Sequence, residues 1–183
     1  MKRLLGLSIL LLAFVFVFTG CDSNGDSDSW SSVVSVEHLN GSWQGSYSQD
    51  MPIKDYMETY EGGWDPSLQI VYGDMNVIST VDINTTINSD IMRQTGTVRV
   101  TERFSGGNIS TLWPFFKQGF EAMGTQVQVN DDNYSMSVIQ VINQTVSLAD
   151  FAGLEINQNY NKVRFRASEF EFVGNDYIVL NKQ

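Results

Sequence analysis

Four acids crowd one short stretch: Asp55, Glu58, Glu61 and Asp65. Paired carboxylates are the equipment of glycoside hydrolysis, one serving as acid and one as base or nucleophile. The same residues also read as the wetted side of a short helix, because Asp55 and Glu58 fall off the stripe Ile53, Tyr56, Met57 and Tyr60. The solvated reading is preferred. Glu102, Glu169 and Glu171 lie on or beside predicted strands, where an acid can face an interior. His38 is the only histidine and Cys21 the only cysteine. One of each supplies no zinc cluster. No Ser-His-Asp arrangement is visible, and no glycine-rich phosphate loop follows a strand. A sole cysteine allows no internal disulfide. No catalytic residue, metal or cofactor is assigned, and the chain is expected not to be an enzyme.

Aromatic residues are the stronger lead. Trp43 and Tyr47 share one side of a predicted strand. Tyr56, Tyr60 and Trp64 follow in a helix-and-loop stretch, and Trp113, Phe115, Phe116 and Phe120 recur in mid-chain. A pocket for an apolar ligand needs such walls with a few placed polar groups. The candidate ligand-binding residues are Trp43, Tyr47, Tyr56, Tyr60, Trp64, Trp113, Phe116 and Phe120. Two other readings stay open. Both helical stretches can plug the ends of a β structure as ordinary core, or an exposed aromatic helix can dock a partner protein.

The N-terminus gives an address. Lys2 and Arg3 precede an apolar run, Leu4 to Phe18, of 15 residues. A charged start, an apolar run and the small residues Thr19 and Gly20 make a secretory signal peptide over 1–20. A permanent helical span takes about 20 apolar residues. Phe18-Thr19-Gly20-Cys21 resembles the bacterial lipobox, with Phe18 where that family prefers Leu. The resemblance implies cleavage between Gly20 and Cys21 and acylation of Cys21 with three chains. It places the protein in the bacterial cell envelope, lipid-anchored, with its folded part outside the cytoplasm. Asp22 resembles the inner-membrane retention signal of enteric bacteria, a rule not shared by all bacteria, so inner and outer membrane both stay open. Residues 21–30 are small, polar and acidic and read as a flexible tether. Their aspartates lack the glycine and glutamate of a calcium loop, since Ser27 and Val33 stand at those places.

Removal of Lys2 and Arg3 leaves nine basic against 21 acidic residues, a net charge of −12. Such a surface repels nucleic acid and anionic head groups, so no nucleic-acid partner is expected. The remaining stretch, 31–183, has the length of one β-rich domain with a real core.

Alternation predicts strands at Ser31–Glu37, Gly41–Ser48, Leu68–Tyr72, Met75–Asn88, Gln94–Ser105, Thr125–Asn130, Tyr134–Ile142, Thr145–Leu148, Asn159–Ala167, Phe170–Val173 and Tyr177–Asn181. Helical spacing predicts helices from Asp50 to Gly62 and from Thr111 to Met123. In the strand 94–105, Glu102 is out of pattern on the apolar side. The fold class is mainly β, an antiparallel barrel or a sandwich with one or two short helices.

Gly41-x-Trp43 opens the β region and resembles the first strand of lipocalin-like barrels, where the tryptophan packs across the barrel floor. In that family a long loop after this strand caps the mouth, and 50–66 stands in that place. The resemblance implies a lipocalin- or calycin-like barrel that holds a small apolar or lipid ligand without catalysis, with 50–66 and 111–123 at the mouth. The alternative is a structural or assembly lipoprotein that binds another envelope protein. The two differ in one observable: an apolar void of ligand size, or an interior filled by side chains.

Overall fold

Alternation is strongest in 75–88, and there the backbone is an unbroken strand. Met75, Val77, Ser79, Val81, Ile83, Thr85 and Ile87 are all buried, and every residue between them is exposed or half-buried. Side chains alternate across a strand, and β-branched residues suit its pleated, half-buried surface.

The computed structural model describes residues 29–61, 63–170 and 172–183. The leader, Cys21 and the tether through residue 28 lie outside the described residues, as does Glu171. Among the described residues there are nine strands: β1 Trp30–Ser32, β2 Gly41–Pro52, β3 Met75–Asn88, β4 Arg93–Gly106, β5 Val127–Asn130, β6 Ser135–Thr145, β7 Glu155–Asn157, β8 Lys162–Arg166 and β9 Tyr177–Lys182. Three short helices join them: α1 Ile53–Tyr56, which widens into a π turn at Met57–Glu61, α2 Leu68–Tyr72 and α3 Ile109–Glu121. The fold is therefore mainly β with a few short helices.

The strands form one sheet in the order β1-β7-β8-β9-β2-β3-β4-β6-β5. The pairings β1–β7, β7–β8, β8–β9, β9–β2 and β5–β6 are antiparallel. The order has two ends, so the sheet does not close into the expected barrel, and it is one sheet rather than the two of a sandwich. The two end strands are short, three residues in β1 and four in β5, and each pairs on one side only. After β6, Ser147 and Asp150 form a reciprocal cap on a 3₁₀ turn, Leu148–Phe151.

Other expectations are corrected in the same local terms. Leu68–Tyr72 is helix, not strand. Asp65 accepts from the Ser67 N–H at 2.8 Å and starts the turn, while Gly73, at φ 60°, stops it. The helix expected from Asp50 starts only after Pro52, because Asp50 and Met51 stay in β2. Ala167–Phe170 is a 3₁₀ turn where part of a strand was expected. The Ala167 N–H donates to the Asp176 carbonyl at 2.8 Å and closes that reversal. The lead-in strand is only Trp30–Ser32, and Val36–Leu39 is a 3₁₀ turn capped by Ser35. Strand β7 was not expected.

The chain divides into two compact units. The first comprises Ser48–Val81 and Arg99–Gln140; the second comprises 29–47, Asp82–Val98 and Val141–Gln183. Strands β2, β3, β4 and β6 contribute residues to both.

Candidate functional site

The core of the first unit is aromatic. Phe104 of β4 is buried among rings of α3, with centroids 6.5 Å from Trp113, 5.3 Å from Phe116 and 5.8 Å from Phe120. Tyr72 stacks on Phe116, and Tyr134 meets Trp113 edge-on. Met51, Ile53, Tyr56, Met75 and Val77 complete the cluster. Helical spacing in α3 sets these rings on one face, with Gln118 and Glu121 on the wet side. The Trp113 indole donates to Asp131 at 2.8 Å, and Lys117 donates to the same carboxylate at 2.6 Å. The Lys117 bond, then the Trp113 bond, hold the Asp131 carboxyl below its ordinary range, and the Asp131 bond raises Lys117.

One acid enters this unit's interior. Glu102, only 3 % exposed, receives the Tyr56 hydroxyl at 2.9 and 3.0 Å on its two oxygens. A buried carboxyl group needs such partners. This explains the acid that breaks the alternation of β4.

The second unit holds a partly open cavity of about 70 Å³. Its walls come from both directions along the sheet order: Ile83 of β3, Val98 of β4 and Ile142 of β6 on one side, Val163 and Phe165 of β8 on the other. Phe151 and Leu154, from the capped turn after β6, also line it. Within this unit residues of β3, β4, β6 and β8 thus face a common interior.

Trp43 is a wall of the same cavity. It is 1 % exposed, and its indole donates to the Leu39 carbonyl at 2.6 Å. The 3₁₀ turn at Val36–Leu39 thus orients the ring. Two glycines make room. Gly41 sits at φ 126°, a conformation L side chains rarely adopt. A side chain on Gly45 would begin 2.2 Å from the Val179 carbonyl, so glycine alone lets β2 lie this close to β9.

The cavity's polar wall is short. The Gln144 amide donates to the Gln94 carbonyl at 3.1 Å, the Gln94 amide donates to the Thr85 hydroxyl at 3.0 Å, and Thr85 donates to the Thr95 carbonyl at 3.1 Å. Asp150 is the only charged residue in the wall, and its carboxylate already accepts from Ser147.

The sequence candidates therefore separate. Tyr56, Trp64, Trp113, Phe116 and Phe120 belong to the aromatic core of the first unit. The 50–66 stretch and α3 belong to that unit and do not wall the cavity. Trp43 lines the cavity. Tyr47 is in the same unit but turns elsewhere, donating to Asp176 at 2.8 Å and meeting Phe172 edge-on. The side chain of Tyr60 lies outside what is described, as does that of Glu61. Among the loop acids, Asp55 and Glu58 are exposed, Glu58 faces Lys54, and Asp65 is spent on its own turn, which lowers its pKa. Burial raises the Glu169 carboxyl. His38 packs on Tyr160. Sequence reading missed the wall residues Ile83, Phe151 and Phe165, although Ile83 and Phe165 lie on visibly alternating strands. Nothing local marked Gln94 and Gln144 as partners.

Among the described residues, no helix is long and apolar enough to cross a membrane, and no three His, Cys, Asp or Glu residues gather as metal ligands. Comparison with protein-family models, curated proteins and solved structures finds no match to this chain.

Proposed function

We propose that the chain is a bacterial envelope lipoprotein, held by acyl chains on Cys21, that binds a narrow apolar molecule without catalysis. The observation that carries this reading is the largely apolar cavity walled by Trp43 and its neighbours. Its size decides the ligand class. Ligand pockets for drug-sized molecules run to about 300 Å³ or more. The cavity here is about 70 Å³. An apolar void of about 150 Å³ takes benzene. The fit is to a few carbons of an alkyl chain, not to a bulky ring system. On this reading the sheet serves as a lipocalin- or calycin-like barrel does, with Phe151 and Leu154 lining the cavity beside the strand residues.

The test is native mass spectrometry of the full-length lipoprotein purified from its own host. The expected spectrum shows a mature chain beginning at an acylated Cys21, plus a bound small apolar species that Ile142→Phe removes. A mature chain without acyl mass would overturn the anchor. An acylated chain that never carries a ligand would overturn the binding reading.

A second reading has its own support. Ile70, 84 % exposed, and Val71 in α2, with Phe115, 70 % exposed, in α3, are bare apolar side chains of the first unit. The Asn108 amide, at the start of α3, donates to the Val71 carbonyl at 2.7 Å, so the two helices adjoin. Exposed apolar groups on adjoining helices suit docking to another envelope protein.

A further inference from the structure

The cavity's polar wall has a direction. The Thr95 carbonyl is a backbone acceptor and cannot donate, so the Thr85 hydroxyl must give it its hydrogen, at 3.1 Å. Thr85 can then only accept from its other neighbour, so Gln94 turns its amide NH₂ toward Thr85, at 3.0 Å. That places the Gln94 carbonyl oxygen toward Gln144, which must answer with its own NH₂, at 3.1 Å. Each amide orientation is fixed by the one before it, from an anchor whose chemistry is not in question. The oxygen of Gln144 is left at the head of the chain. Among the described residues no donor reaches it.

From this direction we propose that the cavity selects an alkyl chain ending in a neutral hydrogen-bond donor, an alcohol or an amide N–H, received by the Oε1 of Gln144. The proposal rests on the apolar-ligand reading and specifies its head group. An ionised carboxylate has only acceptors to offer and meets the carboxylate of Asp150 in the same wall. Among the described residues no Lys, Arg or His lines the cavity. A competing cation is Lys182, whose ammonium stands 5.3 Å from the Trp43 ring centroid and is not part of the wall. An ether of equal length fills the same apolar space but brings no hydrogen for Gln144.

The experiment uses the full-length chain in phospholipid nanodiscs with isotope-labelled isoleucine methyl groups. The methyl signals of Ile83 and Ile142 are followed against 1-propanol, methoxyethane and propanoate, probes short enough for the cavity. Propanol is expected to bind about 3- to 10-fold more tightly than the ether, the ratio one neutral hydrogen bond supports, and propanoate to give no saturable shift. Gln144→Leu is expected to bring propanol down to the ether's affinity. Equal binding of propanol and ether, or a preference that survives Gln144→Leu, would overturn the head-group assignment while leaving apolar binding intact. So would tight propanoate binding that disappears in Lys182→Gln. If no probe shifts either methyl, the ligand-binding reading fails and the head group with it. The three-probe comparison on the unaltered chain stands even if Gln144→Leu does not fold.

Discussion

In the first unit the inner faces of β3 and β4 meet a helix of 13 residues, α3, which brings Trp113, Phe116 and Phe120 down onto Phe104. In the second unit the inner faces of the same two strands meet a capped turn of four residues, which brings only Phe151, with Leu154 just beyond it. Rings of three strand-facing helical residues fill the space over a sheet. One ring and one leucine do not, and a cavity stays. The difference is one of supply, since the inward rows of β3 are equally apolar in both halves. Function is accordingly assigned to the unit whose interior is incomplete.

The largest expected effect is in the filled unit. Phe104→Ala should lower unfolding free energy by about 3–5 kcal/mol, the cost of a buried ring lost from a packed core. Urea titration measures it, and a loss under about 1 kcal/mol would mean that this interior is no better filled than the other. Next comes the polar pair inside the same cluster. Tyr56→Phe removes the hydroxyl that both Glu102 oxygens share. A cost of about 1–3 kcal/mol is expected from a buried acceptor deprived of that donor, and an unchanged midpoint would show that the bond contributes nothing net.

A matched pair of enlargements sharpens the contrast directly. Val77→Ile adds a methylene to the aromatic unit's core and should cost about 1–3 kcal/mol through overpacking. Val98→Ile adds the same methylene at the cavity wall and should cost less than about 1 kcal/mol, because the space is already there. Equal costs would erase the distinction between the two interiors.

The smallest effect is a titration. Asp131 is held below its ordinary range first by Lys117 and then by Trp113. A depressed folded value means that its contribution is present above the ordinary carboxylate range and fades as pH falls through the depressed value. Lys117 is raised by the same bond, so its contribution is present below the ordinary lysine range and fades as pH rises through the raised value. Both groups reach solvent, so the change in stability is small. Trp113 fluorescence is the sensitive probe: flat through neutrality, stepping only below the ordinary carboxylate range, with the step absent in Asp131→Asn. A step that persists in that variant would belong to another group.

Much of the β architecture was legible because burial and alternation coincide. The inward row of β3 reads straight from Val77, Ser79, Val81, Ile83, Thr85 and Ile87, and the odd acid of β4 was visible as odd. Its partner was not, since Tyr56 lies 46 positions away. Short elements misled where turn chemistry outweighed side-chain pattern. Leu68–Tyr72 is apolar enough for a strand, but Asp65 and Gly73 bound it as a helix. The aromatic candidates were found and then misassembled. Periodicity shows which rings share a face, yet says nothing of which interior they fill, so Trp43 and Trp113 looked like parts of one site. Sheet closure was equally hidden, because strand pairing joins segments far apart in the chain, with β1 ending the sheet beside β7 and β5 ending it beside β6.

Xenon under pressure, followed by diffraction from crystals of the protein, tests the contrast between the two interiors most directly, because largely apolar cavities take up the gas. The account predicts a xenon atom among Trp43, Ile83, Phe151 and Phe165 and none beside Phe104 and Trp113. Xenon among the Phe104 rings, or an empty space beside Trp43 at saturating pressure, would contradict it.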